Sequence, residues 1–282
     1  MTAVARTLVS LLIAACLALP AHAAAPNKEA LAKELMKLSG LEQQIRQIPQ
    51  QVLAGFDKDG KKLPPQRYTA LRRVLSQAYN AQTLEQHVYK RLHGELNHEL
   101  ATKTLGWLRS GLARKITKLE EQASTPQAIQ QMQGYATKLE SSPPSQQRLG
   151  LARRIDLATD ATELMLDITE SSTFGLAMAL DATLPPDQRQ GEARLRVQME
   201  RQRPILREAY HRLSMVNALF TYQSLNDAEL ERYVDFLESE VGTQYTVLAN
   251  TALKDALYEA STHANRGMVI LFTQWKNRKS EL

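Results

Sequence analysis

The sequence predicts an all-α protein, a multi-helix array built from two diverged copies of one helical module. Three observations carry that expectation. Long windows rich in Ala, Leu, Gln, Glu and Arg place apolar residues at three- and four-residue steps, and the period-two alternation of a half-buried strand does not occur. Helix starts and stops are punctuated throughout, by Asn, Ser or Thr ahead of an apolar series and by Gly or Pro behind it. Two blocks of sequence also recur in the same order along the chain. With 43% hydrophobic residues, the chain can bury one large core or two small ones, so neither metals nor crosslinks are needed for stability.

Residues 1–23 read as a secretory signal peptide. Arg6 supplies the positive start, Thr7 to Leu19 the apolar run, Pro20 the helix break, and Ala21-His22-Ala23 the small-residue cleavage site. A lipoprotein reading stays open beside it, because Ile13-Ala14-Ala15-Cys16 fits the pattern after which an acylated cysteine is left. The expected location is therefore exported and periplasmic, with a lipid anchor through Cys16 as the alternative. Cys16 is the only cysteine, so cleavage after Ala23 removes disulfides, thiolate zinc sites and cysteine nucleophiles together. No later run approaches the roughly eighteen apolar residues of a membrane helix; the longest are Met268 to Phe272 and Leu176 to Leu180.

The first repeat is expected over 24–124. Leu31, Leu35 and Leu38 mark a helix closed near Ser39-Gly40. Leu41, Ile45, Ile48, Val52 and Phe56 mark a second, which Pro49 should kink or break for want of an N–H. Asp57-Lys58-Asp59-Gly60 reads as a turn and lacks the ligands of a calcium loop. Pro64-Pro65 open one long helical stretch carrying Tyr68, Leu71, Leu75, Tyr79, Leu84, Val88 and Leu92. Ser124-Thr125-Pro126 start a polar, Gln-rich helix that ends at Ser141-Ser142-Pro143-Pro144, so residues 125–145 form the expected connection.

The second repeat is expected over 146–282. It runs from Gln146 to Ala182, is interrupted at Leu184-Pro185-Pro186, and resumes as an arginine-rich helix broken or kinked at Pro204. The stretch from Leu225 to Leu253 has the clearest grammar. Asn226 stands at a helix start with Glu229 three residues on, a capping box, and Leu230, Tyr233, Val234 and Leu237 then form one apolar stripe. A corner is expected at Gly242, with a further apolar series at Tyr245, Leu248, Ala252 and Leu253. Leu257, Ala260, Ala264, Met268, Leu271, Phe272 and Trp275 continue that face, and Lys276 to Leu282 should fray.

Asp227, Glu229 and Leu230, followed by Phe236, Ser239 and Gly242 in an F-x-x-S-x-x-G frame, resemble the exported bacterial family called "domain of unknown function 2059". The match covers residues 205–262. The resemblance implies export and helices; the family has no established activity. Leu237 departs from the second aromatic of many members, and Thr243-Gln244 from a common basic residue.

The internal repeat is read from paired positions. Leu96-Asn97 aligns with Leu225-Asn226, and Leu108, Ser110, Leu119 and Ala123 return as Leu237, Ser239, Leu248 and Ala252, with Trp107 in the place of Phe236. The weaker copy spans Leu96 to Ala123. Upstream, Leu31-Ala32 and Ile48 correspond to Leu151-Ala152 and Ile168, with Leu35 facing Ile155 and Ile45 facing Met165. The shared identities are few, so chance agreement stands as the rival account.

Known catalytic signatures are missing: the nearest zinc pattern, His98-Glu99-Leu100-Ala101-Thr102, ends in a threonine that cannot complete the site. Two Glu-x-x-His steps, Glu95/His98 and Glu208/His211, have the spacing that helical bundles use for di-iron sites. On the later helix, however, the expected stripe is Leu206, Ala209/Tyr210, Leu213, Val216 and Phe220, which turns Glu208 and His211 away from the core. His263 is expected packed or at a core boundary. Ser239 has no base arranged around it, so its expected role, like that of Phe236 and Gly242, is architectural. No catalytic, cofactor-binding or metal residue is assigned, and no cofactor is expected.

The net charge of +5 is mild for this surface and falls by one when Arg6 leaves. Arginine is dense from Arg189 through Arg194, Arg196, Arg201, Arg203 and Arg207 to Arg212, with Glu192, Glu200 and Glu208 as neutralising neighbours. The expected function is a non-enzymatic binding or scaffolding module of the cell envelope, whose partner is an envelope protein or peptide. Its alternatives are a lipid or polymer binder using the Arg-rich helix on an anionic envelope surface, and a metal-dependent enzyme in an inter-repeat cleft. Nucleic acid is not an expected partner, since no aromatic-basic platform is present.

Overall fold

The computed structural model describes residues 27–182 and 184–280, and every regular element among them is helical. In chain order these are α1 (Lys28–Leu38), α2 (Leu41–Gly60), α3 (Pro65–Ala78), α4 (Ala81–Glu95), α5 (His98–Leu108), α6 (Gly111–Ala123) and α7 (Pro126–Ser141). Then follow α8 (Gln146–Thr159), α9 (Ala161–Ala182), a short 3-10 turn (Pro186–Gln188), α10 (Gly191–Thr221), α11 (Asp227–Glu238) and α12 (Glu240–Ser280). The proposed signal peptide, Cys16 included, lies outside the described residues. No described helix is long and apolar enough to cross a membrane.

Local chemistry fixes most helix starts. Asn27, Asn80, Asn97, Ser110, Thr125, Ser145 and Asn226 each accept a hydrogen bond from an otherwise unpaired amide three residues on. At Asn226 the bond is reciprocal: Glu229 N–H donates to Asn226 Oδ1 at 2.8 Å, and Asn226 N–H donates to Glu229 Oε2 at 3.1 Å.

Two main cores form, and each is completed by a helix from the other half of the chain. The first gathers Leu31 and Leu35 of α1, Ile45 of α2, Leu84, Val88 and Leu92 of α4 and Leu105 of α5 around Tyr245, Leu248, Ala252 and Ala256 of α12. The second gathers Leu151 and Ile155 of α8, Leu219 of α10, and Leu230 and Val234 of α11 around Ile116 of α6, with Tyr135 and Leu139 of α7 against it. Full burial of each such Leu, Ile or Val contributes roughly 1.5–3 kcal/mol, so neither core is complete without the crossing helices. Between them Trp107 of α5 stacks on Phe236 of α11, ring centres 4.6 Å apart and planes 9° from parallel. A third, smaller cluster joins α2, α3 and the far part of α12 through Phe56, Leu75 and Ala264.

Several expected boundaries move. The long stretch from Pro65 breaks at Tyr79-Asn80, where the Asn80 carboxamide caps α4. Asp57 to Gly60 is helical, and Asp57 accepts bonds from the Tyr68 hydroxyl at 2.8 Å and Arg72 Nε at 3.2 Å. Pro49 and Pro204 sit inside α2 and α10, which continue through them as single elements because both flanks pack against neighbouring helices. The final corner falls at Ser239 and not at Gly242, and α12 continues to Ser280 where fraying was expected from Lys276. The 125–145 connection is no free linker: the Tyr135 hydroxyl of α7 donates to the Leu219 carbonyl at 3.3 Å, and its ring meets Phe220 edge-on.

Candidate functional site

Two helix corners frame an open groove. At the first, α8 ends and the chain turns through Asp160, whose φ of 53° lies in the left-handed region, before starting α9. At the second, α11 meets α12 with only Ser239 between them. There the Ser239 hydroxyl donates to the Phe236 carbonyl at 2.6 Å and accepts from Gly242 N–H at 3.1 Å. A Cβ on Gly242 would stand 1.9 Å from that carbonyl oxygen, so only glycine allows this approach. The F-x-x-S-x-x-G frame is thus a corner device whose three residues interlock, and the serine is held by backbone on both sides.

Between the corners lies a cavity of about 490 Å³, within the size range of small-ligand sites. Leu157, Ala158, Leu164 and Val247 give it apolar walls, and Leu157 and Val247 remain 71% and 60% exposed. Thr243, Thr246, Asn250 and Thr251 form a polar row along α12 beside them. Asp160, Glu238 and Lys254 complete the rim.

The rim charges are unequal in their partners. Glu238 takes a two-pronged pair from Arg154 at 2.7 and 2.9 Å, which holds its carboxyl below the usual range. Lys254 bonds Asp167 at 2.8 Å. Burial alone would raise Asp167, but Lys254 and then Arg203 bring it below its ordinary value. Asn250 Nδ2 donates to the Thr159 carbonyl at 2.7 Å, closing the end of α8. Among the described residues the Asp160 carboxylate accepts no hydrogen bond and joins no ion pair. Burial pushes its carboxyl up, and neighbouring Glu163 pushes it further, with Lys254 opposing.

The histidine steps seen in the sequence are not brought to a common point. Glu95 pairs with Arg91 at 3.0 Å, and His98 Nδ1 lies 3.4 Å from the Thr102 hydroxyl. Glu208 pairs with Arg212 on the exposed face of α10. His211, however, does not point away from the core: its Nδ1 is 2.9 Å from Oδ2 of Asp156, a carboxylate only 4% exposed. Asp156 also accepts from the Ser214 hydroxyl at 2.6 Å and the Thr162 hydroxyl and N–H at 2.8 and 3.1 Å. The inward face of α10 is therefore rotated from the expected stripe. Ser214 is buried and Leu213 is 42% exposed, because a buried carboxylate on α8 draws polar side chains inward. His263 is exposed and not packed. Among the described residues no group of three or more His, Asp, Glu or Cys is placed to hold a metal ion.

Two arginines of the arginine-rich helix face α9, while Arg189, Arg194, Arg196, Arg201 and Arg212 are exposed. Arg203 pairs with Glu163 at 3.2 Å, Asp167 at 3.3 Å and Glu170, and Arg207 pairs with Glu163 at 2.5 Å, all on α9. Among the described residues, Arg196 and Arg212 alone use the in-helix partners expected for them, Glu192 and Glu208. Compared with family models, with curated proteins and with solved structures, this chain meets no match in any of the three.

Proposed function

We propose that this chain is an exported cell-envelope protein, built from two diverged copies of one helical module, that acts by binding or scaffolding through the groove between α8 and α12. Export rests on the charge, apolar run and cleavage pattern of residues 1–23 and on the family resemblance of residues 205–262.

Paired positions support the duplication. From Leu31 to Ser39 and from Leu151 to Thr159, buried, half-buried and exposed positions follow one another identically. Arg109 bonds Glu34 at 2.8 Å in the first half, and at the matching positions Glu238 bonds Arg154 at 2.7 Å, with the charges reversed. Lys28 donates to the carbonyl of Gly94 at the end of α4, as Arg148 donates to the carbonyls of Leu225 and Tyr222 at the end of α10. Trp107 and Phe236, matched in the alignment, are the two rings that stack across the halves.

One observation carries the binding role. The first-half counterparts of Leu157 and Val247 are Lys37 and Lys118, both exposed, so this architecture accepts lysine where the groove exposes leucine and valine. Packing does not require those apolar groups, and exposed apolar groups grouped in a concavity mark interaction sites. The test is site-specific photocrosslinking in living cells. A crosslinker at position 157 should give a discrete adduct with an envelope component and one at Lys37 none; equal yields at both positions would defeat the reading.

A further inference from the structure

Asp160 is the one described residue other than glycine with a positive φ, 53°. Its counterpart at the end of α1 is Gly40, with φ 74°. Glycine occupies this region at no steric cost, whereas a side chain there is strained, although Asp tolerates it better than most. The second half thus carries a carboxylate at a corner that glycine closes in the first. That carboxylate makes no compensating bond: among the described residues it has no hydrogen-bond or ion-pair partner, while Glu163 and Asp167 beside it are matched by Arg207 and Lys254. It stands on the rim of a groove whose walls are apolar and whose other rim charges, Glu238 and Lys254, are paired. Strained residues without a structural partner gather at functional sites.

We infer that Asp160 is the recognition residue of this groove and that the occupant is a short peptide segment in which a Lys or Arg adjoins bulky aliphatic side chains. This rests on the groove being the binding surface. The cation answers Asp160, the one rim charge left over, and relieves the repulsion from Glu163. The aliphatic groups cover Leu157 and Val247. Thr243, Thr246, Asn250 and Thr251 run along α12 beside the apolar wall; Thr243 and Asn250 give a donor to the Leu237 and Thr159 carbonyls respectively, and their side-chain oxygens can still accept. Such a row suits the repeated amides of a peptide and has no use for a hydrocarbon tail, which favours a peptide over a cationic surfactant.

The experiment uses the chain from residue 24 to residue 282, with methyl-labelled Leu and Val read by NMR, and three probes: acetyl-Leu-Lys-Leu-Leu-amide, acetyl-Leu-Glu-Leu-Leu-amide and dodecyltrimethylammonium. The basic peptide should shift the Leu157 and Val247 methyls and bind about tenfold more tightly than the acidic one, with the difference shrinking as salt rises. Asp160→Asn and Asp160→Gly should both lose that preference, and Asp160→Gly should at the same time melt higher than the wild type. The double variant Leu157→Lys/Val247→Lys should lose both peptides while keeping its fold. Equal binding of the two peptides would overturn the role of Asp160 and leave the groove reading intact. Surfactant binding without peptide binding would overturn the peptide. Asp160→Gly melting below the wild type would make the residue a structural cap and likewise overturn its role. If no probe shifts either methyl, this inference falls, and if the crosslinker at 157 also captures nothing, the groove reading falls with it.

Discussion

Glu120 shows how one side chain links the two halves at a cost. Its Oε1 accepts from the hydroxyls of Tyr222 at 2.6 Å and Tyr233 at 2.9 Å, so a residue of α6 ties the end of α10 to α11. Burial pushes the Glu120 carboxyl up, and the two hydroxyl bonds only partly offset it; burial and the nearby carboxylate also push both phenols well above their usual range. A carboxyl raised on folding favours the protonated native state, so its contribution is fully present below the ordinary glutamate value and is lost as pH rises through the folded one. Glu120→Gln keeps an acceptor for both hydroxyls without the charge. It should melt higher than the wild type at pH 7 to 8, and the gap should close below about pH 4.5, as thermal melts across a pH series would record. Thr104 offers a simpler test. It is fully buried and among the described residues its hydroxyl has no partner, so Thr104→Val should stabilise by about 1 kcal/mol in urea unfolding. Neither site was legible in the sequence, because periodicity reports which face a residue takes and says nothing of which polar atoms meet there.

At the scale of elements, some starts were legible, those after Asn80 and Asp160 were not, and phases were less so. The Asn226/Glu229 box and the Thr125-Pro126 start stand where their residue types place them, since a cap is a local bond between neighbours. The face of α10 was not legible: counting Leu213 and Val216 as core fixes the wrong rotation once Asp156 of α8 is buried and draws Ser214 and His211 toward it. The corner before α12 was legible in composition and off by three residues in place. Serine makes the turn, and Gly242 is needed one turn later for the passage of the Phe236 carbonyl. Gly242→Ala should therefore cost about 2–3 kcal/mol by forcing the backbone apart. At the α5–α6 corner Ala113 is buried without harm, because two residues, Arg109 and Ser110, separate those helices. Chemical denaturation of Gly242→Ala beside Gly134→Ala, where a Cβ meets nothing within 4 Å, would isolate the corner from a general glycine effect.

For the whole molecule, periodicity announced buried stripes but not their partners, and the exchange of α6 and α12 between the two cores went unseen for that reason. Trp107 and Phe236 sit where that exchange is held. Each truncation to alanine should cost about 2–3 kcal/mol, and a double-mutant cycle should return a coupling near 1 kcal/mol for the stacked pair; additive losses would mean the rings serve their own halves separately. The crossing of α12 also governs what the ribosome can release in usable form. Leu84, Val88 and Leu92 wait for Tyr245, Leu248 and Ala252 to cover them, so the first core cannot close until the chain has been made through Ala260. A message broken before the codon for Ala260 leaves that core open, so its product carries a sticky, protease-sensitive half even where the second core, complete by Leu237, has closed.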